Sequence, residues 1–167
     1  KMKTVEAQME AVILADEQLK AMYDLLISVK SVGLIIAATF LVYTNGFTAF
    51  KNARTFASYC GIAPFSQSSG SSIHKKARVS SMGYRKIKAL LTNAAWNSVN
   101  FDKEIRAYWF RKCEEGKETG VVLNAIKFKI IARVFAVIKR GMPFVPLENY
   151  RAETVSYTHL TLPTNGC

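Results

Sequence analysis

The stretch "SQSSGSSIHKKAR", residues 66 to 78, sets five serines, Ser66, Ser68, Ser69, Ser71 and Ser72, within seven positions and follows them with His74, Lys75, Lys76 and Arg78. Hydroxyls in a field of cations suit phosphoryl chemistry. A serine can attack a phosphodiester and hold the broken end as a phosphoserine, which splits strand exchange into two transfers and conserves the bond energy. Lysine or arginine beside it offsets the charge that builds on the phosphoryl oxygens. A glycine next to the nucleophile lets the backbone come close to the phosphate and take positive φ. Ser69-Gly70, followed by Lys75, Lys76 and Arg78, meets these demands. By residue type alone the five serines are interchangeable, and a plain polar linker is the simpler account of the same composition. His74 reads as a phosphate neighbour rather than a general base, because the adjacent lysines disfavour its protonation.

Other chemistries find no residues. From Leu25 to Phe101 there is no Asp or Glu, so no carboxylate pair can act as acid and base there, and no His, Cys or Asp cluster has metal-ligand spacing. Glu114, Glu115 and Glu118 lie in or beside an expected loop and read as solvated. Cys60, Cys113 and Cys167 are odd in number, far apart and free of any CxxC pattern, which argues against a zinc site and a disulfide framework and predicts a reducing, intracellular setting. Cys60, among apolar neighbours, reads as a small core residue.

The acid-free stretch carries nine cations: Lys30, Lys51, Arg54, Lys75, Lys76, Arg78, Arg85, Lys86 and Lys88, and the whole chain has a formal charge of +11. All twelve acids lie in the flanks. Such a field calls for a polyanionic partner, either nucleic acid or an anionic membrane surface.

The elements that would position these residues are mainly helices. Residues 1–29 carry Met2, Val5, Met9, Val12, Leu19, Tyr23 and Leu26 at spacings of three and four, interrupted at Asp16, as in an amphipathic or coiled-coil connecting arm. "VGLIIAATFLVYTNG" is an apolar run too short for a bilayer span of about twenty residues and predicts a buried helix ended by Asn45 and Gly46. Phe50, Ala53, Ala57 and Cys60 predict a short helix stopped by Gly61. Residues 64–72 read as loop and 73–79 as a short strand. Ser80 is the expected N-cap of a helix through Ile87, Leu91, Ala94 and Ala95, with Arg85, Lys86 and Lys88 in its first turns. A helix over 102–113, a loop over 116–120 and a long helix over 121–140, ended by Gly141, Pro143 and Pro146, complete the pattern. The expected fold is mainly α: a compact helical domain over residues 30–148 with a small loop or hairpin insert, an N-terminal coiled-coil-like arm and a tail over 149–154. "VSYTHLTLPT", residues 155 to 164, resembles the conceptual translation of a transposon mosaic-end sequencing adapter, so 155–167 reads as a cloning or assembly scar. Because the chain starts at Lys1, its natural start is expected upstream.

Several of these pieces fall in one order. "NARTFASYCGIAPFSQSSGSSIHKKARVSSMGYRKIKALLTNAAW" resembles the C-terminal transposase domain of the insertion-sequence one-ten family, related to the Piv-type DNA invertases. That family pattern is A-x-x-x-G-hydrophobic-x-P, then S-G, a basic patch, R-x-S-x-x-G and a basic helix. Here it is met by Ala57, Gly61, Ile62 and Pro64; Ser69 and Gly70; Arg78, Ser80 and Gly83; and Arg85 to Leu91. "KRGMPFVP", residues 139 to 146, resembles the family's closing stretch, so the likeness covers about residues 25 to 148. It selects Ser69 as the matching nucleophile. The resemblance also implies an upstream RNase H-like domain whose four acids hold Mg2+, with no cofactor in this fragment. A bacterial cytoplasmic protein at the nucleoid is implied as well, a homo-oligomer, expected as a tetramer, acting on DNA with a structured guide RNA. One departure stands out: the family's P-G-[IV]-G hairpin reads "KSVG" here, Lys30 to Gly33, with Lys30 as an electrostatic substitute. Alone, this chain is expected to bind nucleic acid through Gly70, His74, Lys75, Lys76, Arg78, Ser80, Arg85, Lys86, Lys88, Lys30, Lys51 and Arg54, and not to recombine it. The competing accounts are a non-catalytic helical nucleic-acid-binding module and peripheral membrane association through residues 32–43.

Overall fold

A computed structural model describes residues 2–62, 64–65, 78–79 and 84–146. Among them are seven helices and one pair of two-residue strands: α1 (Met2–Ala15), α2 (Glu17–Ile27), α3 (Leu34–Thr44), α4 (Ala53–Tyr59), β1 (Pro64–Phe65), β2 (Arg78–Val79), α5 (Arg85–Phe101), α6 (Lys103–Glu114) and α7 (Thr119–Arg140). The mainly α expectation holds.

The helix boundaries follow local chemistry. The N-terminal periodicity is split into two helices at Asp16, whose carboxylate leaves the helix to accept the amides of Gln18 (2.8 Å) and Leu19 (3.0 Å) and so caps α2. Asn45, at φ +49, ends α3 in the left-handed region. Asn52 and Thr55 form a reciprocal capping box at the start of α4. Gly141, at φ +64, ends α7, as the glycine there predicts.

α7 is the spine. It buries Val122, Leu123, Ile126, Ile130, Ile131, Val134 and Val137, and packs on α2, α4, α5 and α6. Full burial of each such side chain contributes about 1.5–3 kcal/mol relative to exposure. α3 is apolar around its whole circumference and is correspondingly built into the core through Ala37, Ala38, Phe40 and Leu41. Its one buried hydroxyl, on Thr44, is satisfied at both ends, donating to the Phe40 carbonyl (2.7 Å) and accepting from the Phe47 amide (2.9 Å). With those residues inside, much of the run at 32–43 is core, while Ile35 and Val42 are exposed, and no helix among the described residues is long and apolar enough to cross a membrane. Cys60 is fully buried as well, and burial pushes its thiol up to about 12.

Asp102 joins three helices. It ends α5 and caps α6 by accepting the amides of Glu104 (3.0 Å) and Ile105 (3.4 Å), while its second oxygen takes a 2.7 Å hydrogen bond from Arg133 on α7. Arg133 also reaches Glu104 at 2.8 Å.

The turn between α2 and α3 carries the "KSVG" departure. Ser31 sits at φ +70, a left-handed conformation, in the position where the family pattern has its first glycine. The backbone thus keeps a glycine-type turn with a side chain on it, at a cost of about 1–2 kcal/mol. Its hydroxyl is buried without a partner. Ser31→Gly is therefore expected to raise the unfolding free energy by about 0.5–1 kcal/mol once glycine's extra chain entropy is counted, and Ser31→Val to lower it by more than that. Urea titration of the two variants checks the signs; a destabilised glycine variant would show that the serine contributes contacts that outweigh its strain.

Candidate nucleic-acid interface

The serine segment lies between β1 and β2, which pair antiparallel with Pro64 opposite Val79 and Phe65 opposite Arg78. In the chain β1 follows α4 and β2 precedes α5, and the pairing sets the two flanks of the segment side by side.

Three tyrosines fix that place. Tyr84, the cap residue of α5, donates its amide to the Tyr59 carbonyl at the end of α4 (3.3 Å), and the two rings stack with planes 9° apart. Tyr43, near the end of α3, donates its hydroxyl to that of Tyr84 at 2.7 Å, a bond that, with burial, raises the Tyr43 pKa. Three helices are tied together at the neck of the serine segment. This corrects the expected cap: Ser80 falls outside the described residues, and α5 starts at Arg85 after Tyr84, which supplies no side-chain cap. Its ring and amide contacts to Tyr59 and Tyr43 fix the helix start in place of a local capping hydroxyl.

The start of α5 is an electropositive helix end. Its first turn contains no acid, and the amides of Arg85, Lys86 and Ile87 precede the first intrahelical bond, from Lys88 to Tyr84. Arg85 and Lys86 are exposed and Lys88 is half-buried. Cations here oppose the helix dipole by a few tenths of a kcal/mol each, up to about 1, and a bound anion reverses that sign.

Behind Lys88 stands a residue that periodicity passed over. Lys127 of α7 is only 5 % exposed, and its ammonium donates to the Asn124 side-chain oxygen at 3.2 Å. No carboxylate pairs with it among the described residues. Burial, and then the charge of Lys88, lowers its pKa. The signal was legible: Lys127 interrupts an apolar stripe formed by Leu123, Ile126, Ile130 and Ile131.

The remaining expected site residues divide. Lys51 and Arg54 are exposed at the other end of α4 from Tyr59, about 10 Å along the helix. Lys30, half-buried, lines a different cleft with Lys103, Arg111 and Lys129 and is not gathered to the start of α5. Arg78 belongs to β2. Ser69, Gly70, His74, Lys75, Lys76 and Ser80 lie outside the described residues. Among the described residues no three of His, Cys, Asp or Glu come together in a way that could hold a metal ion.

Comparison with known proteins shows the family of the chain. Over 139 residues the chain is 32% identical to the "Insertion element IS110 uncharacterized 43.6 kDa protein" of Streptomyces coelicolor, which takes in 83% of this chain and 33% of that protein. It is 29% identical over 122 residues to the "Pilin gene-inverting protein" of Moraxella lacunata and to that of Moraxella bovis, in each case 72% of this chain and 38% of the relative. The chain thus spans between a third and two fifths of the length of these curated relatives. A family model described as "Transposase IS116/IS110/IS902 family" matches residues 23–110, which run from α2 through the tyrosine-locked neck and α5 into α6, and the chain belongs to that transposase family.

Proposed function

We propose that this chain is the part of a DNA transposase that grips DNA and supplies Ser69 as the nucleophile for strand cleavage and transfer. One observation supports the reading: in a chain of this family, the flanks of the serine segment are joined in pairs, β1 to β2 and Tyr59 to Tyr84, and Tyr84 leads into the acid-free first turn of α5. The names of two relatives, pilin gene-inverting proteins, point to DNA rearrangement.

In the first transfer the Ser69 oxygen bonds to phosphorus as the bond from phosphorus to one deoxyribose oxygen breaks. The serine loses its proton and the departing oxygen gains one. In the second, a deoxyribose hydroxyl of another strand displaces Ser69 and restores the phosphodiester. Arg85, Lys86 and Lys88, with Lys75, Lys76 and Arg78, neutralise the scissile phosphate and its neighbours. The full-length protein would add an RNase H-like domain with Mg2+, a guide RNA and an oligomeric assembly. No step here runs through that metal, because the described residues offer it no site. The chain alone binds DNA without recombining it.

The full-length protein with a nicked suicide DNA substrate is expected to form a covalent adduct that Ser69→Ala abolishes while DNA affinity stays the same. An adduct that survives Ser69→Ala and disappears in Ser68→Ala would refute the assignment. Unchanged strand transfer in both would leave a non-catalytic binding module.

Duplex affinity of the chain should fall steeply with salt, with a log-log slope of roughly −5 for about six phosphate contacts, and Arg85→Gln with Lys86→Gln should flatten it by about 1.8. A slope that these substitutions leave unaltered would remove α5 from the interface.

Lys127→Met is expected to raise the unfolding free energy by about 1 kcal/mol at pH 7, since it relieves the burial of an ammonium, and to weaken DNA binding. Because the folded-state pKa of Lys127 lies below its unfolded value, the unfolded chain holds more protons and the stability of the parent chain climbs as pH rises toward 10.5. Urea titrations at pH 7 and at pH values approaching 10.5 should show that climb reduced in the variant.

A further inference from the structure

At the opposite end of α5 a cleft of about 540 Å³ opens, with Lys30, Lys103, Tyr108, Arg111 and Lys129 on its walls and Asp102 and Glu104 beside them. The carboxylates are already engaged: both accept from Arg133, and Asp102 also accepts two α6 amides. Arg133 in turn lies over the Phe144 ring at 4.7 Å, on the cleft wall. Lys30, Arg111 and Lys129 are not paired with those carboxylates. The Lys129 ammonium stands 4.7 Å and the Arg111 guanidinium carbon 5.7 Å from the centre of the Tyr108 ring. Cation–π contact fixes their positions and leaves their full charge. Lys30 enters from a third element, the turn after α2, and neither it, Arg111 nor Lys129 forms an ion pair with a carboxylate among the described residues.

Positive charges drawn from three elements around one concavity repel each other unless a polyanion sits among them. The cleft has the volume for about one or two nucleotides of a single strand and is too small to take in a duplex. Cationic walls with an aromatic ring inside are the combination that binds unpaired strands, phosphates to the cations and bases on the ring. It is also a separate site: the seventeen residues of α5 run about 25 Å, so no single phosphate reaches both the start of that helix and this cleft.

We propose that this cleft, formed by the α2–α3 turn, α6, α7 and the segment after α7, binds the backbone of an unpaired nucleic-acid strand. It rests on the proposed function only in taking nucleic acid as the polyanion.

The test measures binding of the chain to a labelled single-stranded oligothymidylate and to a duplex, across a salt series, with inorganic polyphosphate as competitor. Arg111→Gln with Lys129→Gln is expected to flatten the single-strand slope by about 1.4, two contacts at 0.7 each, and to leave the duplex slope as it was. Lys30→Gln, on another element, should flatten it by about 0.7 and serves if the double variant melts early by circular dichroism. Tyr108→Leu should weaken oligothymidylate several-fold and polyphosphate much less. An unaltered single-strand slope in both charge variants overturns the proposal. Equal weakening of both anions by Tyr108→Leu also overturns it, leaving a general anion site. If the cleft variants behave as expected but Arg85→Gln with Lys86→Gln does not change duplex binding, the cleft stands and the reading of α5 falls; the reverse pattern removes the cleft alone.

Discussion

The buried contact between Asp102 and Arg133 is the joint on which the arrangement depends. An ionised carboxylate that is 3 % exposed costs several kcal/mol unless its lone pairs are used, and here both oxygens are: one by the first amides of α6, the other by the guanidinium of α7. Because the same residue ends α5, a single side chain sets the angle between α5 and α6 and pins that corner to the spine. Phe144 on the face of Arg133 adds the segment after α7, and the Phe144 amide, bonded to the Ser28 hydroxyl at 2.8 Å, returns that segment to the end of α2. The walls of the cationic cleft are the elements that this joint assembles.

The other end of α5 is held by different means. No charge is used there: Tyr43, Tyr59 and Tyr84 join the ends of α3 and α4 to the start of α5 by one hydroxyl pair, one amide bond and ring stacking. The difference has a consequence. A carboxylate at that end would cap the helix more effectively than Tyr84 does, but it would also occupy the amides and neutralise Arg85 and Lys86. The tyrosines fix the neck and leave its positive potential intact, which is the condition a phosphate needs.

Periodicity revealed what is decided locally. The apolar run of α3, the stripe and closing glycine of α7 and the break at Asp16 are all written within a few residues of where they act. The start of α5 was not, because the contacts that fix Tyr84 come from Tyr59 and from Tyr43, forty-one residues earlier for the hydroxyl pair. The destination of Lys30 was likewise hidden, since it meets Lys129 only through the packing of α2 on α7. Ser31 is an instructive case: its residue type argues against a glycine-type turn, yet the flanking helices impose φ +70. Among the candidate site residues, Arg85, Lys86 and Lys88 could be placed from helix register alone. The choice of Ser69 over its neighbouring serines rests on the order of motifs shared with the family and not on residue chemistry.

The uneven charge now has a physical sense. The first carboxylate after the acid-free stretch is Asp102, and it is turned inward to Arg133 rather than outward to the cations that precede it. Lys127 is buried and donates to an amide oxygen, with no carboxylate paired to it among the described residues, and Lys30, Arg111 and Lys129 crowd one cleft. The burial of Lys127 and the crowding of Lys30, Arg111 and Lys129 raise the energy of the unbound fold. None is required by packing, since an apolar chain of similar length would fill the position of Lys127. A polyanion removes these costs on binding, and any ligand that binds only the folded state stabilises it, by about 2.7 kcal/mol at a hundred times its Kd. Under the proposed binding of nucleic acid, relief of this electrostatic tension is part of the affinity, and a carboxylate introduced within the acid-free stretch would relax the tension while reducing that part.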